Sequence, residues 1–217
     1  MKILAISGSP RGKHSQTRRM TEALLEAAKA RGAKTELVDL GKAKVGFCTA
    51  CELCHRQPGC SLKDDAVGIM HKMLESDAIV IASPVYLDHV SAQMKAMLDR
   101  TSHFIHCLRL VGKYFAAVTT SGGGSGNNTA AFVADYARTV GAQYVGACHA
   151  PLPLTEDDLT SARKLGVDLI DAIVSKRVWP DQERAIEAQR LMFGKNIAFH
   201  KEQWPYEYQY WKDLKWL

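Results

Sequence analysis

The stretch that decides the fold is Met1-Lys2-Ile3-Leu4-Ala5-Ile6-Ser7-Gly8-Ser9-Pro10-Arg11-Gly12-Lys13-His14-Ser15-Gln16-Thr17. Ile3 to Ile6 is a continuous apolar run, as a strand covered on both faces of a parallel sheet requires. A turn rich in glycine, serine and proline follows. From about Gln16 to Arg31 the residues Met20, Ala23, Leu24, Ala27 and Ala28 fall on one helical face, and Gly32 stands where a C-terminal cap belongs. Buried strand, short turn and amphipathic helix together read as a βα unit.

The unit repeats along the chain. Further strands are predicted at Thr35 to Leu40, Ala78 to Ala82, Tyr114 to Thr119 and near Gln143 to Ala150. Helices are predicted after Asp64-Asp65, over about Ser91 to Thr101, over Asn128 to Val140 and over about Glu156 to Lys176. Thr35 to Leu40 mixes polar and apolar residues and reads as an edge strand, whereas Ala78 to Ala82 is wholly apolar and reads as central. Regular alternation implies an α/β fold with helices on both faces of a doubly wound, five-stranded parallel sheet. The order 2-1-3-4-5 suits a polar second strand. One domain over residues 1–177 is expected.

The chain has 217 residues, 47% hydrophobic and 24% charged, the composition of an ordinary globular protein. A net charge of +5, scattered without a basic tail or stripe, argues against a nucleic-acid partner. No apolar run approaches the ~18 residues of a membrane span, and the first residues lack a secretory pattern, so a cytoplasmic protein is expected, with no membrane partner. The character changes in residues 178–217. From Trp179 onward the chain holds nine of the seventeen aromatics, including all four tryptophans. Gln182 to Met192 reads as helical, while Trp204 to Trp211 does not read as a core strand. These rings need burial, against their own domain or on a neighbouring subunit, and the enrichment of Trp and Tyr at interfaces favours the neighbour in a homo-oligomer, dimer or tetramer.

Strand one leads straight to a helix N-terminus, whose unpaired amides and partial positive charge suit an anion. Ser9, Ser15 and Thr17 supply hydroxyls and Arg11 a guanidinium fork. The nucleoside-triphosphate loop G-x-x-x-x-G-K-[ST] is absent, because Gly8 to Gly12 is one residue too short and His14 replaces the hydroxyl. The dinucleotide fingerprint G-x-G-x-x-G is absent too. A terminal monophosphate ester remains.

Gly8-Ser9-Pro10-Arg11 with Ser15-Gln16-Thr17 resembles the FMN-phosphate loop of the flavodoxin-like NAD(P)H-dependent FMN reductases. Ser83-Pro84-Val85-Tyr86, followed by Ser91-Ala92-Gln93-Met94-Lys95 and Leu98-Asp99-Arg100, is similar to that family's second flavin loop and helix. The resemblance spans about residues 1 to 150 and implies a flavodoxin-like fold and FMN. Local chemistry agrees with it. Ser83-Pro84 stops strand three, so Val85-Tyr86-Leu87 present amides and an aromatic edge at the switch point, and the glycines of Thr119 to Gly126 permit close approach to a ring. That run is no G-x-S-x-G nucleophile elbow, since Asn127 takes the place of its last glycine. The candidate FMN-binding residues are Ser9, Arg11, Ser15, Gln16, Thr17, Pro84, Val85, Tyr86, Leu87, Ser121, Gly122, Gly123 and Gly126.

Four of the six cysteines form Cys48-x2-Cys51-x2-Cys54-x5-Cys60, in a loop over residues 46–63 inserted after strand two. Clustered thiols in a reducing compartment point to metal before disulfide, and all-sulfur ligation suits zinc or an iron-sulfur cluster. A thiol loop without metal is a third reading. Beside the flavin loops, the spacing resembles the motif of the iron-sulfur flavoproteins, which implies a [4Fe-4S] cluster held by Cys48, Cys51, Cys54 and Cys60. Cys107 and Cys148 read as small buried hydrophobes. His55, His103 and His106 lack metal spacing with one another and read as surface or core histidines.

An FMN-dependent redox protein is expected, one that passes electrons between cluster and flavin. With a cluster, the resemblance implies ferredoxin or a similar carrier as donor; without one, NAD(P)H-dependent reduction of quinones or free flavin. A flavin electron carrier or sensor without turnover and a zinc-loop interaction protein are the alternatives. FMN carries the chemistry, so no catalytic acid or base is named.

Overall fold

The computed structural model describes all residues, 1–217. Five parallel strands, β1 (Lys2–Ser7), β2 (Lys34–Asp39), β3 (Ala78–Pro84), β4 (Tyr114–Ser121) and β5 (Gln143–Pro151), lie in the order β2-β1-β3-β4-β5. The expected order therefore holds. The central register is set by facing apolar residues, Leu4 against Ile79 and Ile79 against Phe115, and no residue of β1, β3 or β4 beyond their first and last is more than marginally exposed. β2 is an edge strand and only half-buried, as its mixed polarity requires.

Helices cover both faces. On one face α1 (Gln16–Ala30) and α7 (Glu156–Ser175) pack Met20, Leu24, Leu165 and Leu169 over Ile3, Val80 and Val118. They come close because Gly166 has no side chain, and a Cβ there would run into the Leu24 carbonyl oxygen. On the other face α3 (Asp65–Glu75), α4 (Ala92–Asp99) and α6 (Asn127–Thr139) bury Met70, Met73, Met97 and Val133 against Leu4, Ile79 and Phe115. α3 starts at Asp64, whose side chain accepts the Ala66 amide, and α7 starts with a capping box between Thr155 and Asp158.

Two short helices and the tail complete the chain. α2 (Leu53–Arg56) lies in the cysteine loop and α5 (Ser102–His106) follows α4. The tail forms α8 (Pro180–Phe199) and α9 (Pro205–Asp213), both opened by proline at a first-turn position where a missing N–H costs nothing. Phe193, Ile197 and Trp211 bury against Cys107 and Leu108 of the same chain, and Trp211 Nε1 donates to the His106 carbonyl at 3.1 Å. Part of the tail's aromatic surface is thus covered by its own domain, while Phe199, Leu191 and Met192 remain exposed. No helix is long and apolar enough to cross a membrane.

Candidate functional site

The loops that leave β1, β3 and β4 meet at the carboxyl end of the sheet, where the strand order reverses. After β1, Gly8 is pinned on two sides. Its amide donates to the Ala82 carbonyl at 2.8 Å, and its carbonyl accepts the Ser91 hydroxyl at 2.6 Å. A Cβ on Gly8 would lie 2.7 Å from Ser91 Oγ and 2.8 Å from Met94 Cβ, so the loop backbone packs directly on the first side chains of α4. Ser15 caps α1 by accepting the Arg18 amide at 3.0 Å, which leaves the amides of Gln16 and Thr17 without an acceptor in the chain.

A cavity of about 100 Å³ opens at this point. Ser9, Arg11, Ser15, Gln16 and Thr17 line it from the first loop, Pro84, Val85 and Tyr86 from the second, and Ser121 and Gly122 from the third. The hydroxyl residues Ser9, Ser15, Thr17 and Ser121 are all buried there, and Arg11 is the only charged side chain in the wall. Thr120 and Leu152 line it as well, although the sequence reading did not select them. Thr120 is the clasp between loops, since its Oγ1 lies 2.6 Å from Thr17 Oγ1 and its carbonyl accepts the Val85 amide at 2.8 Å.

Leu87, Gly123 and Gly126 lie outside the wall. Leu87 and Asp88 both hold positive φ in a tight turn closed by Tyr86 and His89, which exchange backbone hydrogen bonds, and Leu87 is fully exposed at its tip. Gly126 precedes α6 and packs on His149 and Thr119, where no Cβ has room. His149 was also not selected. It faces Thr119 Oγ1 at 2.9 Å and Ser121 Oγ at 3.3 Å and so braces the third loop from β5.

The four clustered cysteines converge on a second cavity of about 270 Å³, lined also by Arg100 and Ser102. Three of the sulfurs have polar partners. Ser61 Oγ lies 3.3 Å from Cys51 Sγ, Ser102 Oγ lies 3.7 Å from Cys54 Sγ, and Arg100 Nη2 donates to Cys60 Sγ at 3.2 Å. The Ser61 hydroxyl and the Leu53 amide hold the Cys51 thiol below the ordinary range, whereas burial pushes Cys54 up. Arg100 is 2% exposed and also donates to Asp64 Oδ2 at 2.6 Å and to the Gly46 carbonyl at 3.0 Å. Burial works against the Asp64 carboxylate, but the Arg100 and Gly46 bonds outweigh it and keep its pKa below the usual range.

All-sulfur ligation suits zinc or an iron-sulfur cluster, and all four cysteines line this one cavity. The buried Arg100 Nε moreover has no acceptor in the chain, which suits an anionic group in that space.

Of the three histidines near the cysteines, His55 and His103 are buried and His106 is half-buried. His55 and His106, which lack metal spacing in sequence, meet on the carboxylate of Glu207, while His103 is buried beside Phe104. Cys107 and Cys148 are buried, as expected of small hydrophobes.

Sheet order, anion loop and rim together define a flavodoxin-like flavoprotein. The model of the NADPH-dependent FMN reductase family matches residues 1–154, and the chain belongs to that family, in its iron-sulfur flavoprotein branch. An iron-sulfur flavoprotein of Archaeoglobus fulgidus is 31% identical over 98% of this chain and 98% of its own length. Another, from Methanosarcina thermophila, is 43% identical over 46% of this chain and 52% of its own. Among solved structures, a flavodoxin, WrbA-like protein from Agrobacterium tumefaciens shares the fold, with a TM-score of 0.59 at 20% identity over 81% of this chain and 98% of that one. The chain is an FMN-dependent redox protein and a flavin-dependent oxidoreductase.

Proposed function

We propose that the protein passes electrons between a [4Fe-4S] cluster, held by Cys48, Cys51, Cys54 and Cys60, and FMN bound at the carboxyl end of the sheet. The observation that carries this reading is the thiol cavity itself, lined by all four cysteines and edged by a buried guanidinium with an unpaired N–H. When bound, FMN exchanges electrons in pairs or singly and the cluster exchanges them one at a time.

The chain's own residues do the placing. The free amides of Gln16 and Thr17, the Ser9 and Ser15 hydroxyls and Arg11 form the cradle for the FMN phosphate. The cavity is smaller than the roughly 300 Å³ at which ligand pockets begin, which suits an ester phosphate with the ring left to the rim of Val85, Tyr86 and Gly122. α4 joins the two sites, because Ser91 at its start holds Gly8 and Arg100 at its end holds Cys60. Nine residue steps of about 1.5 Å separate Ser91 from Arg100, so these two anchors lie about 13–14 Å apart along the helix.

The donor is a one-electron carrier such as ferredoxin, or NAD(P)H, and a quinone is an acceptor of matching two-electron chemistry. Exposed Leu87 at the flavin rim and Phe199 on α8 are in keeping with a homo-oligomer, dimer or tetramer. The test is an absorption spectrum of anaerobically reconstituted protein. Cys54→Ser should remove the broad shoulder near ~400 nm typical of cubane clusters and leave the flavin bands. A spectrum unchanged by Cys54→Ser contradicts the reading.

A further inference from the structure

The aromatic tail has no part in either site as described, yet it reaches the cysteine loop. α9 packs on α2, the four residues that carry Cys54 and His55. A helix of four residues does not hold itself in water. Its N-terminal flanking residue Glu52 sits at φ 58 and supplies no side-chain cap. Something else must fix it.

That support comes from Glu207. Its side chain is wholly buried, its Oε1 lies 2.7 Å from His55 Nδ1, and its Oε2 lies 3.0 Å from His106 Nδ1. An ionised carboxylate only accepts, so both imidazoles donate through Nδ1. Burial alone would raise the Glu207 carboxyl, but the His106 and His55 bonds outweigh it and hold it below the usual range. The two imidazole rings stack at 4.7 Å and 14°, and the Trp204 indole lies against both, at 5.1 and 4.9 Å. His106 is anchored in turn by the Trp211 indole on its carbonyl. Each imidazole is bonded directly to its own carboxylate oxygen, so the trio forms a hydrogen-bonded strut between α9, α2 and α5.

We propose that the C-terminal tail is a structural part of the cluster site: Glu207, acting through His55, fixes α2 and with it the direction of Cys54 Sγ, so the tail governs retention of the cluster and not of the flavin. Glu207 is thus a positioning residue. The proposal rests on the reading of the thiol cavity given above, and its test separates the two.

Full-length protein, reconstituted anaerobically with FMN, iron and sulfide, is compared as wild type, Glu207→Gln, Glu207→Ala and the exposed control Glu202→Gln. Iron loss to a chelator, FMN content and hydrogen exchange of the α2 amides are measured. Outer-shell partners of metal ligands are typically worth at least about 10-fold in retention, so Glu207→Ala should lose iron about 10-fold faster with FMN content unchanged. Gln, which keeps both bonds if one imidazole changes tautomer, should fall between, and Glu202→Gln should match wild type. The α2 amides should exchange faster in Glu207→Ala even before iron is added. Equal iron loss in wild type and Glu207→Ala overturns the proposal, as does parallel loss of FMN, which would signal general unfolding. Wild type that takes up no cluster, while α2 exchange still responds to Glu207, removes the cluster reading and leaves the strut.

Discussion

Arg100 Nη2 donates to Cys60 Sγ at 3.2 Å while Nη1 of the same guanidinium pairs with Asp64 at 2.6 Å. One buried cation thus ties the last cysteine of the loop to the cap of α3 and to the end of α4. A positive charge beside a cluster ligand favours the reduced, more negative state. Arg100→Met should therefore move the cluster midpoint to more negative potential. It should also lower stability by about 3–5 kcal/mol, the usual cost of leaving the partner of a buried ion pair alone. Arg100→Lys, which keeps the charge, should keep the potential nearer wild type. Redox titration followed by absorbance, with chemical denaturation alongside, measures both effects.

Arg11 is the only charge in the wall of the phosphate cavity. Arg11→Ala should weaken FMN retention by ~1.5–3 kcal/mol, the worth of one charge-assisted hydrogen bond. Titration of apoprotein by quenching of FMN fluorescence reads this directly, and unchanged affinity would count against the cradle.

Gly166 faces the Leu24 carbonyl where α7 crosses α1. Gly166→Ala must push the helices apart and should cost about 1–3 kcal/mol, the range for overpacked cores. The midpoint of thermal unfolding should drop, although alanine is the better helix former.

His103 is buried, its Nδ1 has no partner, and burial together with the Arg109 charge lowers its pKa to about 4. The unfolded chain takes up this proton near pH 6.5, the folded chain only near 4. The neutral form is thus the stable one in the fold. Its contribution is intact above pH 6.5 and is lost as pH falls toward 4, on the order of 3 kcal/mol across that window. His103→Leu should flatten the pH dependence of unfolding between those values, and thermal melts at a series of pH values check it.

The parts of this architecture that are readable from sequence are those governed by local pattern. Ala78 to Ala82 reads as a central strand because both its faces are apolar, and Ser15 and Asp64 mark helix starts by their own side chains. The first loop is legible for the same reason: the groups it brings to the cavity wall are neighbours in sequence. Thr120 and Leu152 escape because they enter the cavity from other loops by tertiary placement. In the tail, the Gln182 to Met192 pattern shows α8, whereas α9 has a usable signal in the proline after Trp204 that its aromatic density masks. Glu207 has no such signal, since 152 residues separate it from His55 and only the folded chain brings them together.

Metal, sulfide and flavin analysis of anaerobically purified protein decides whether one chain carries both a flavin and an iron-sulfur cluster. Iron and acid-labile sulfide should match one [4Fe-4S] cluster per FMN, and both should be lost in Cys51→Ser with FMN retained. Zinc in place of iron, or FMN alone after reconstitution with iron and sulfide, would rule the pairing out.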